Sequence, residues 1–490
     1  MDFLKRIEKW IIKNKLPAFI ILCAIFLRMW RLGEFAMFLA DQGRDALIVR
    51  KIALFQHLPL IGPPSSIGQV YLGPFFYYLI APFFYLSSFD PVGLAFGVSF
   101  IMTVGIILGY LAVKRTEKKR TALFFLLLTS FSYQLIWFSR FSWNPNLLPV
   151  FSFFTLYFLY RFFETKKYIY SMLYGIGFAL CFQLHHLAVF LAIPIALSYL
   201  YAFFAQKKTL FLISSIAVSF ISFLLISSPL IIFDLKHDFL NIKNLHSLLT
   251  EQNVIAGGSP MVRLLETNHA FFQTVLQLHY PQAVSTVVSI VLFLSLIVVI
   301  LKKRNLFIGI HTVNIYSYIY LFSKLSSPRH PHYYGLIYLS LFVVVSYLFD
   351  MLPKKLPWIV GSFLCISLYF ILNARHYYFI AGKPSNQINH ARYVASTIIP
   401  HIANKPYNFA TYPVEYTSED TYLYFLEKQG LPVARRELNQ VTDQMYVLCN
   451  QKPCNVLNSG SWNIEMFGKA KIDTIWSVDG ITIYRLIHER

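Results

Sequence analysis

Long stretches containing almost nothing but apolar residues constrain this chain more than any other feature. Residues 16–30, 147–163, 210–233, 283–301 and 358–372 are each near the length a helix needs to cross a hydrocarbon layer, roughly 20 residues. Inside lipid every backbone amide must be satisfied internally, so helix is the only open-ended choice. With 56% hydrophobic and 13% charged residues, ordinary soluble folds are excluded. The expectation is a polytopic α-helical membrane protein.

The net charge of +20 does not mark a nucleic-acid binder, because the basic residues fall in short clusters between the apolar runs, where they act as topology signals. The clusters are Lys5, Arg6, Lys9, Lys13 and Lys15; Lys114, Arg115, Lys118, Lys119 and Arg120; Lys166-Lys167; Lys207-Lys208; Lys302-Lys303-Arg304; and Lys354-Lys355. All of them share the cytoplasmic side if spans cover 16–33, 92–113, 121–138, 146–163, 168–185, 187–205, 209–232, 281–301, 306–323, 333–350 and 356–373. That scheme has about eleven crossings in a cell membrane, a cytoplasmic N-terminus and an extracytoplasmic C-terminus. It requires residues 71–86 to lie in the interface as a tyrosine-anchored helix. No small-residue cleavage site follows the first run, so that run is expected to be retained. Cys23, Cys181 and Cys365 read as buried thiols. Cys449 and Cys454 either pair in an oxidising exterior or stay free.

Residues 1–382 form the expected membrane domain, with outer loops 34–70 and 234–280, and residues 383–490 a small extracytoplasmic α/β domain. In the first loop Ile48, Val49, Ile52 and Phe55 recur at helical spacing and predict a helix lying on the membrane. In the tail Ala391, Val394, Ala395, Ile398, Ile399 and Ile402 predict an amphipathic helix, followed by a strand over 407–412 and a helix over 419–429. Further strands are expected at 444–449 and 481–487.

Candidate chemistry gathers on the outer side. Asp41-Gln42-Gly43-Arg44-Asp45 puts two carboxylates and a guanidinium just beyond the first span, where charge is costly. Asp41 reads either as a helix N-cap or as a general base, with Arg44 holding an anionic group and Asp45 as an accessory. At helical spacing the three side chains share a face. Arg140, in Phe138-Ser139-Arg140-Phe141-Ser142-Trp143-Asn144-Pro145-Asn146, either snorkels to headgroups or meets substrate. Gln183, His185 and His186 end another span. The two histidines point about 100° apart on a helix, which favours packing over joint metal ligation, and His186 is a candidate for substrate or phosphate binding. Lys324, Arg329, His330 and His332 form a further group, Arg329 and His330 suiting phosphate recognition. Asp234 and His237 begin the second loop as accessory candidates. Cations from several loops facing a carboxylate suit a substrate with a phosphate head and a hydrocarbon tail, such as a polyprenyl-phosphate sugar. No residue spacing identifies a metal site, and a divalent-ion requirement is left open.

This plan resembles the integral-membrane glycosyltransferases of family 39 of the GT-C fold, the protein O-mannosyltransferases and aminoarabinose transferases of bacterial or archaeal type. The family's first outer loop carries Asp-Glu, then Arg and an amphipathic helix; the matching residues are Asp41, Gln42 and Arg44, leading into Ala46-Leu47-Ile48-Val49-Arg50-Lys51-Ile52. The resemblance implies that Asp41 is catalytic and that the anomeric centre is inverted, without a covalent enzyme intermediate. Gln42 stands where the family has its second acid. Gly73-Pro74 stands where the aminoarabinose enzymes carry a phosphate-binding lysine before proline, which shifts that role to Arg329 or Arg140. The implied function is transfer of a sugar from a lipid-phosphate donor to a protein, lipid or glycan acceptor. A lipid-linked sugar transporter is the alternative, and internal repeats or broken midplane helices would mark it. A polysaccharide polymerase or ligase would call for paired outer arginines, whereas loop 234–280 holds only Arg263.

Overall fold

The computed structural model describes residues 11–65, 69–206, 209–251, 257–353, 355–402, 405–413, 418–431, 433–434, 439–451 and 453–489. Lys5, Arg6, Lys9, Lys207, Lys208 and Lys354 lie outside the described residues.

Each of the stretches expected to span is helical. Among the described residues six helices are long and apolar enough to cross a membrane unaided, or seven if the bent pair Lys119–Phe131 and Tyr133–Ser139 is one span. Tyr168–Leu184, Leu306–Phe322 and Tyr338–Met351 are shorter apolar helices packed among them. Phe75–Leu86 has 12 residues, about 18 Å of helix, too short for a crossing of about 30 Å. At one end of the bundle the Lys114 ammonium donates to Asn14 Oδ1 (3.3 Å), Asn305 Nδ2 to Glu117 Oε1 (2.7 Å), and Lys118 pairs with Asp350 (3.7 Å). Four of the expected same-side segments, at residues 14, 114–118, 305 and 350, are thereby tied together.

The bent pair turns by 60° at Ser132, whose hydroxyl accepts from Leu135 N–H and caps the second piece. Breaking a helix orphans the last carbonyls of the first piece. Here they find side-chain donors. Arg28, fully buried, donates to the Thr129 (3.0 Å) and Ser130 (3.1 Å) carbonyls; Tyr369 and Tyr377 hydroxyls donate to Leu128 (2.9 Å) and Phe131 (2.6 Å). Asn373 Oδ1 accepts from Tyr133 N–H (2.8 Å).

The tail forms a four-stranded sheet, β1 (Asn408–Tyr412), β2 (Gln444–Cys449), β3 (Ala470–Val478) and β4 (Ile481–His488), in the order β1-β2-β4-β3. β1 and β2 run parallel; the other neighbours are antiparallel. β3, absent from the sequence reading, is an exposed edge strand, so it lacks the alternation that marks a half-buried one. Cys449 and Cys454 are disulfide-bonded. Helices Gln387–Ile402 and Glu419–Lys428 share the main hydrophobic core, while the far face of the sheet buries a separate one around Met445, Val447 and Leu486.

The first-loop helix, Ala40–Ala53, differs from expectation in what covers it. Its apolar face, with Ala46, Val49 and Ile52 buried, packs against helices Phe75–Leu86 and Glu419–Lys428, so protein rather than lipid receives it.

Candidate active site

Helix Ala40–Ala53 is capped by Leu39, so Asp41 stands inside the first turn and is not itself the cap. Its carboxylate accepts from Arg44 Nη1 (2.8 Å), while Arg44 Nε (3.1 Å) and Nη2 (2.7 Å) donate to Asp45. The guanidinium fork therefore clamps two carboxylates of contrasting exposure: Asp41 is 43% exposed and Asp45 fully buried. Burial pushes the Asp45 carboxyl up to about 6, with Arg44 and the Tyr77 hydroxyl pulling the other way. Burial pulls the Arg44 guanidinium down, but Asp45, Tyr77 and Asp41 more than outweigh it and raise its pKa. Three of its five N–H bonds are used in this clamp, leaving two.

Gln42 is buried and bridges two elements. Its Oε1 accepts from Leu39 N–H (3.1 Å) at the helix start, and its Nε2 donates to the Ser142 carbonyl (2.9 Å). A carboxylate could make the first bond but not the second, which gives glutamine rather than glutamate at this position a physical reason.

Asp41 and Arg44 line a cavity of about 830 Å³ together with Trp143, Asn144, Phe182, His185, His186, Val189, Phe190, Leu245, Pro328, His332 and Tyr333, among others. Several of its walls are short 3₁₀ turns, Asn144–Leu147, His186–Leu191 and Pro331–Leu336, each leading into a helix of the bundle. Asn144 Nδ2 donates to the Leu184 carbonyl (2.7 Å) and locks two of these walls together. His185 Nδ1 accepts from Leu187 N–H (3.1 Å), leaving Nε2 to carry the proton. His332 packs against Trp143, Tyr333 and His185, and burial pushes its pKa down to about 4. A smaller groove of about 370 Å³ beside the helix break is lined by apolar groups with Ser367 and Tyr369, the tyrosine hydroxyl being engaged by the Leu128 carbonyl.

The remaining wall is backbone 62–65 paired with 70–72, through Gly62 N–H to the Leu72 carbonyl (2.7 Å) and Ser65 N–H to the Val70 carbonyl (2.7 Å). Helix Leu240–Glu251 clamps it, since Asn241 Oδ1 accepts from Tyr71 N–H (2.7 Å) and its Nδ2 donates to the Tyr71 carbonyl (3.1 Å). Asp234 Oδ1 accepts from Asn241 N–H (2.7 Å). Asp234 therefore acts through Asn241. At Gly73 a Cβ would lie 2.2 Å from the Gln183 side chain, so a longer residue there would require Gln183 to move.

Not every candidate reaches the cavity. Arg140 is buried and donates to the carbonyls of Leu27 (3.0 Å), Arg28 (3.2 Å) and Trp30 (2.8 Å), with Phe379 stacked on its guanidinium. Arg329 lies just behind the lining loop and donates to that loop's own Ser327 (2.6 Å) and Leu325 (3.0 Å) carbonyls. His330 is exposed and stacks on His332, Lys324 lies over Tyr320, and His237 Nδ1 meets the Phe233 carbonyl. Arg44 is the one Lys or Arg among the residues lining the cavity. Among the described residues no group of three His, Cys, Asp or Glu is placed to hold a metal ion.

A helical bundle with a broken span, a surface helix carrying an acidic motif and a small tail sheet is the architecture of the GT-C fold. Solved structures agree. ArnT from Cupriavidus metallidurans bound to undecaprenyl phosphate superposes with a TM-score of 0.63 at 10% identity, over 96% of this chain and 98% of that one. Its apo form gives 0.61 at 12% identity, over 98% of each chain. The oligosaccharyltransferase AglB from Archaeoglobus fulgidus, in complex with an inhibitory peptide and a dolichol-phosphate, gives 0.51 at 14% identity, over 90% of this chain and 70% of that one. The chain is thus a GT-C-fold integral-membrane protein. Within it, residues 72–233 match the family model described as dolichyl-phosphate-mannose-protein mannosyltransferase. No curated protein matches the sequence.

Proposed function

We propose that this protein transfers a sugar from a polyprenyl-phosphate donor to an acceptor at the outer face of the membrane, with inversion and with Asp41 as the general base. One observation carries the proposal: a half-exposed carboxylate, oriented by Arg44, stands in the wall of a cavity that combines polar groups, His185, His186 and His332 among them, with an aromatic and aliphatic lining. Such a space accommodates a polar head and a hydrocarbon tail together. Asp41 takes the acceptor hydroxyl proton as the acceptor oxygen bonds the anomeric carbon and the bond to phosphate breaks, its electron pair leaving with the polyprenyl phosphate. The two remaining Arg44 N–H bonds and the nearby imidazoles receive the leaving charge, and Arg329 adds positive potential from behind the loop.

Placement outside the membrane is supported from two directions. The tail that packs on helix Ala40–Ala53 contains a disulfide, which persists in oxidising compartments. The Lys114–Arg120 cluster meets the start of the first helix at the opposite end of helix Val92–Thr116. The broken span does not favour a transporter, because its freed carbonyls are taken by Arg28, Tyr369 and Tyr377 and present no site to a passing ligand.

The test uses purified protein with a panel of radiolabelled polyprenyl-phosphate sugars, with and without chelator. Asp41→Asn is expected to lower transfer by about 100-fold or more while donor binding and thermal stability persist. Turnover retained in that variant would remove Asp41 from the role of base.

A further inference from the structure

We propose that helix Glu419–Lys428 of the C-terminal domain is a positioning element for Asp41, its backbone at Asp420 seated on Gly43. The proposal rests on Asp41 being the base and gives the tail a part in the same reaction. The tail is fastened to the membrane domain close to this site. Asn386 N–H donates to the Glu34 carbonyl (2.9 Å), and Gln387 Oε1 accepts from Phe38 N–H (2.9 Å). Lys428 donates to the Ser88 (3.1 Å) and Phe89 (2.9 Å) carbonyls, Tyr424 also donates to Phe89, and Arg392 pairs with Asp90 (2.6 Å). Phe38 meets the edges of Tyr424 and Phe425.

At the centre of this interface lies the glycine of the acidic motif. A Cβ at Gly43 would sit 2.5 Å from the Asp420 carbonyl carbon and from Thr421 N. Both are backbone atoms of a helix, which cannot turn aside as a flexible side chain would. Gly43 has no positive φ to explain it. Its lack of a side chain is what lets the two helices touch backbone to backbone, between the residue that tethers the motif to Ser142 and the residue that clamps Asp41. Asp420 is partly buried there, and burial raises its carboxyl pKa while the Arg44 guanidinium pulls it back. Arg44 pairs with Asp41 and Asp45 of its own helix, and the Asp420 backbone of the tail lies against the glycine beside it. Displacing the tail by a fraction of an ångström moves the helix that presents Asp41, and positioning errors of that size are costly in catalysis.

The experiment compares Gly43→Ala, Asp420→Asn and Asp420→Glu in the full chain, following transfer kinetics and hydrogen exchange of residues 40–53 and 419–428. Gly43→Ala is expected to lower kcat by about tenfold or more, leave donor KM within about twofold, and speed exchange in both segments together. Asp420→Asn is expected to lower kcat by a smaller factor, restored by Asp420→Glu. Wild-type kcat and exchange in Gly43→Ala, or a loss confined to donor KM, overturns the proposal. If Gly43→Ala fails to fold, unchanged kcat and unchanged exchange of 40–53 in Asp420→Asn overturns it equally. An active Asp41→Asn enzyme removes the base assignment, whereas coupled exchange of the two helices is read independently of activity.

Discussion

Replacing Gln42 by Glu changes a single heavy atom, and the structure sets its consequence. The new carboxylate keeps the bond from Leu39 N–H but faces the Ser142 carbonyl, 2.9 Å from the present Nε2, with oxygen against oxygen. A buried carbonyl left without its donor costs about 1–3 kcal/mol, and an unpaired buried carboxylate costs more. Protonation offers an escape, because a neutral Glu can again donate to Ser142. Its cost is about 1.4 kcal/mol for each pH unit above an ordinary glutamate pKa of about 4.3. At pH 7 that limits the penalty to about 4 kcal/mol. The sign follows from proton binding: a raised folded-state pKa means the folded protein keeps a proton the unfolded chain has lost. Stability of the variant relative to wild type is therefore nearly unchanged below about pH 4, declines as pH rises, and levels off once the folded pKa is passed. Thermal unfolding of detergent-solubilised protein at pH 4.5, 6 and 7.5 checks this. A Tm difference that does not widen with pH, or a Glu variant as stable as wild type at pH 7.5, refutes the assignment of Gln42 as a donor.

Two further perturbations test the clamp and the break. Because burial holds the Asp45 carboxyl up at about 6, transfer should decline on the acid side with a midpoint near that value as Asp45 loosens its hold on Arg44. Asp45→Asn should erase the inflection and lower activity by about tenfold. The same shift predicts that Asp45 makes the folded state lose stability between about pH 4 and 6, and none further above it, a slope absent from the Asn variant. Arg28→Met removes the donors to the Thr129 and Ser130 carbonyls and should cost about 2–4 kcal/mol, seen as a lowered Tm, with Arg28→Lys recovering part of it.

Much of the membrane domain was legible because apolar run length and basic punctuation are local properties, and each expected span contains a helix. The Asp41–Arg44–Asp45 face was equally legible, since helical spacing alone brings those side chains together. The destinations of the other arginines were not. Arg140 and Arg329 looked like free cations, but a guanidinium is drawn to whichever backbone carbonyls lack partners, and those are created by tertiary breaks and loop turns. Asp234 resembled a site acid because its partner, the first turn of helix Leu240–Glu251, becomes visible only once that helix begins. Gly43 carried no periodic signal, and its reason for being glycine lies more than 370 positions along the chain, at Asp420.

The break at Ser132 also bears on how the protein is made. Its Leu128 carbonyl is satisfied by Tyr369, 241 residues later, and that of Phe131 by Tyr377. During synthesis these two carbonyls lack their native donors until helix Leu356–Ala374 and the Tyr377 that follows it have been made. The span is then the final part of the bundle to settle. Chains truncated before that helix should keep this segment open to water and quality-control proteases, even though its own sequence is present in full.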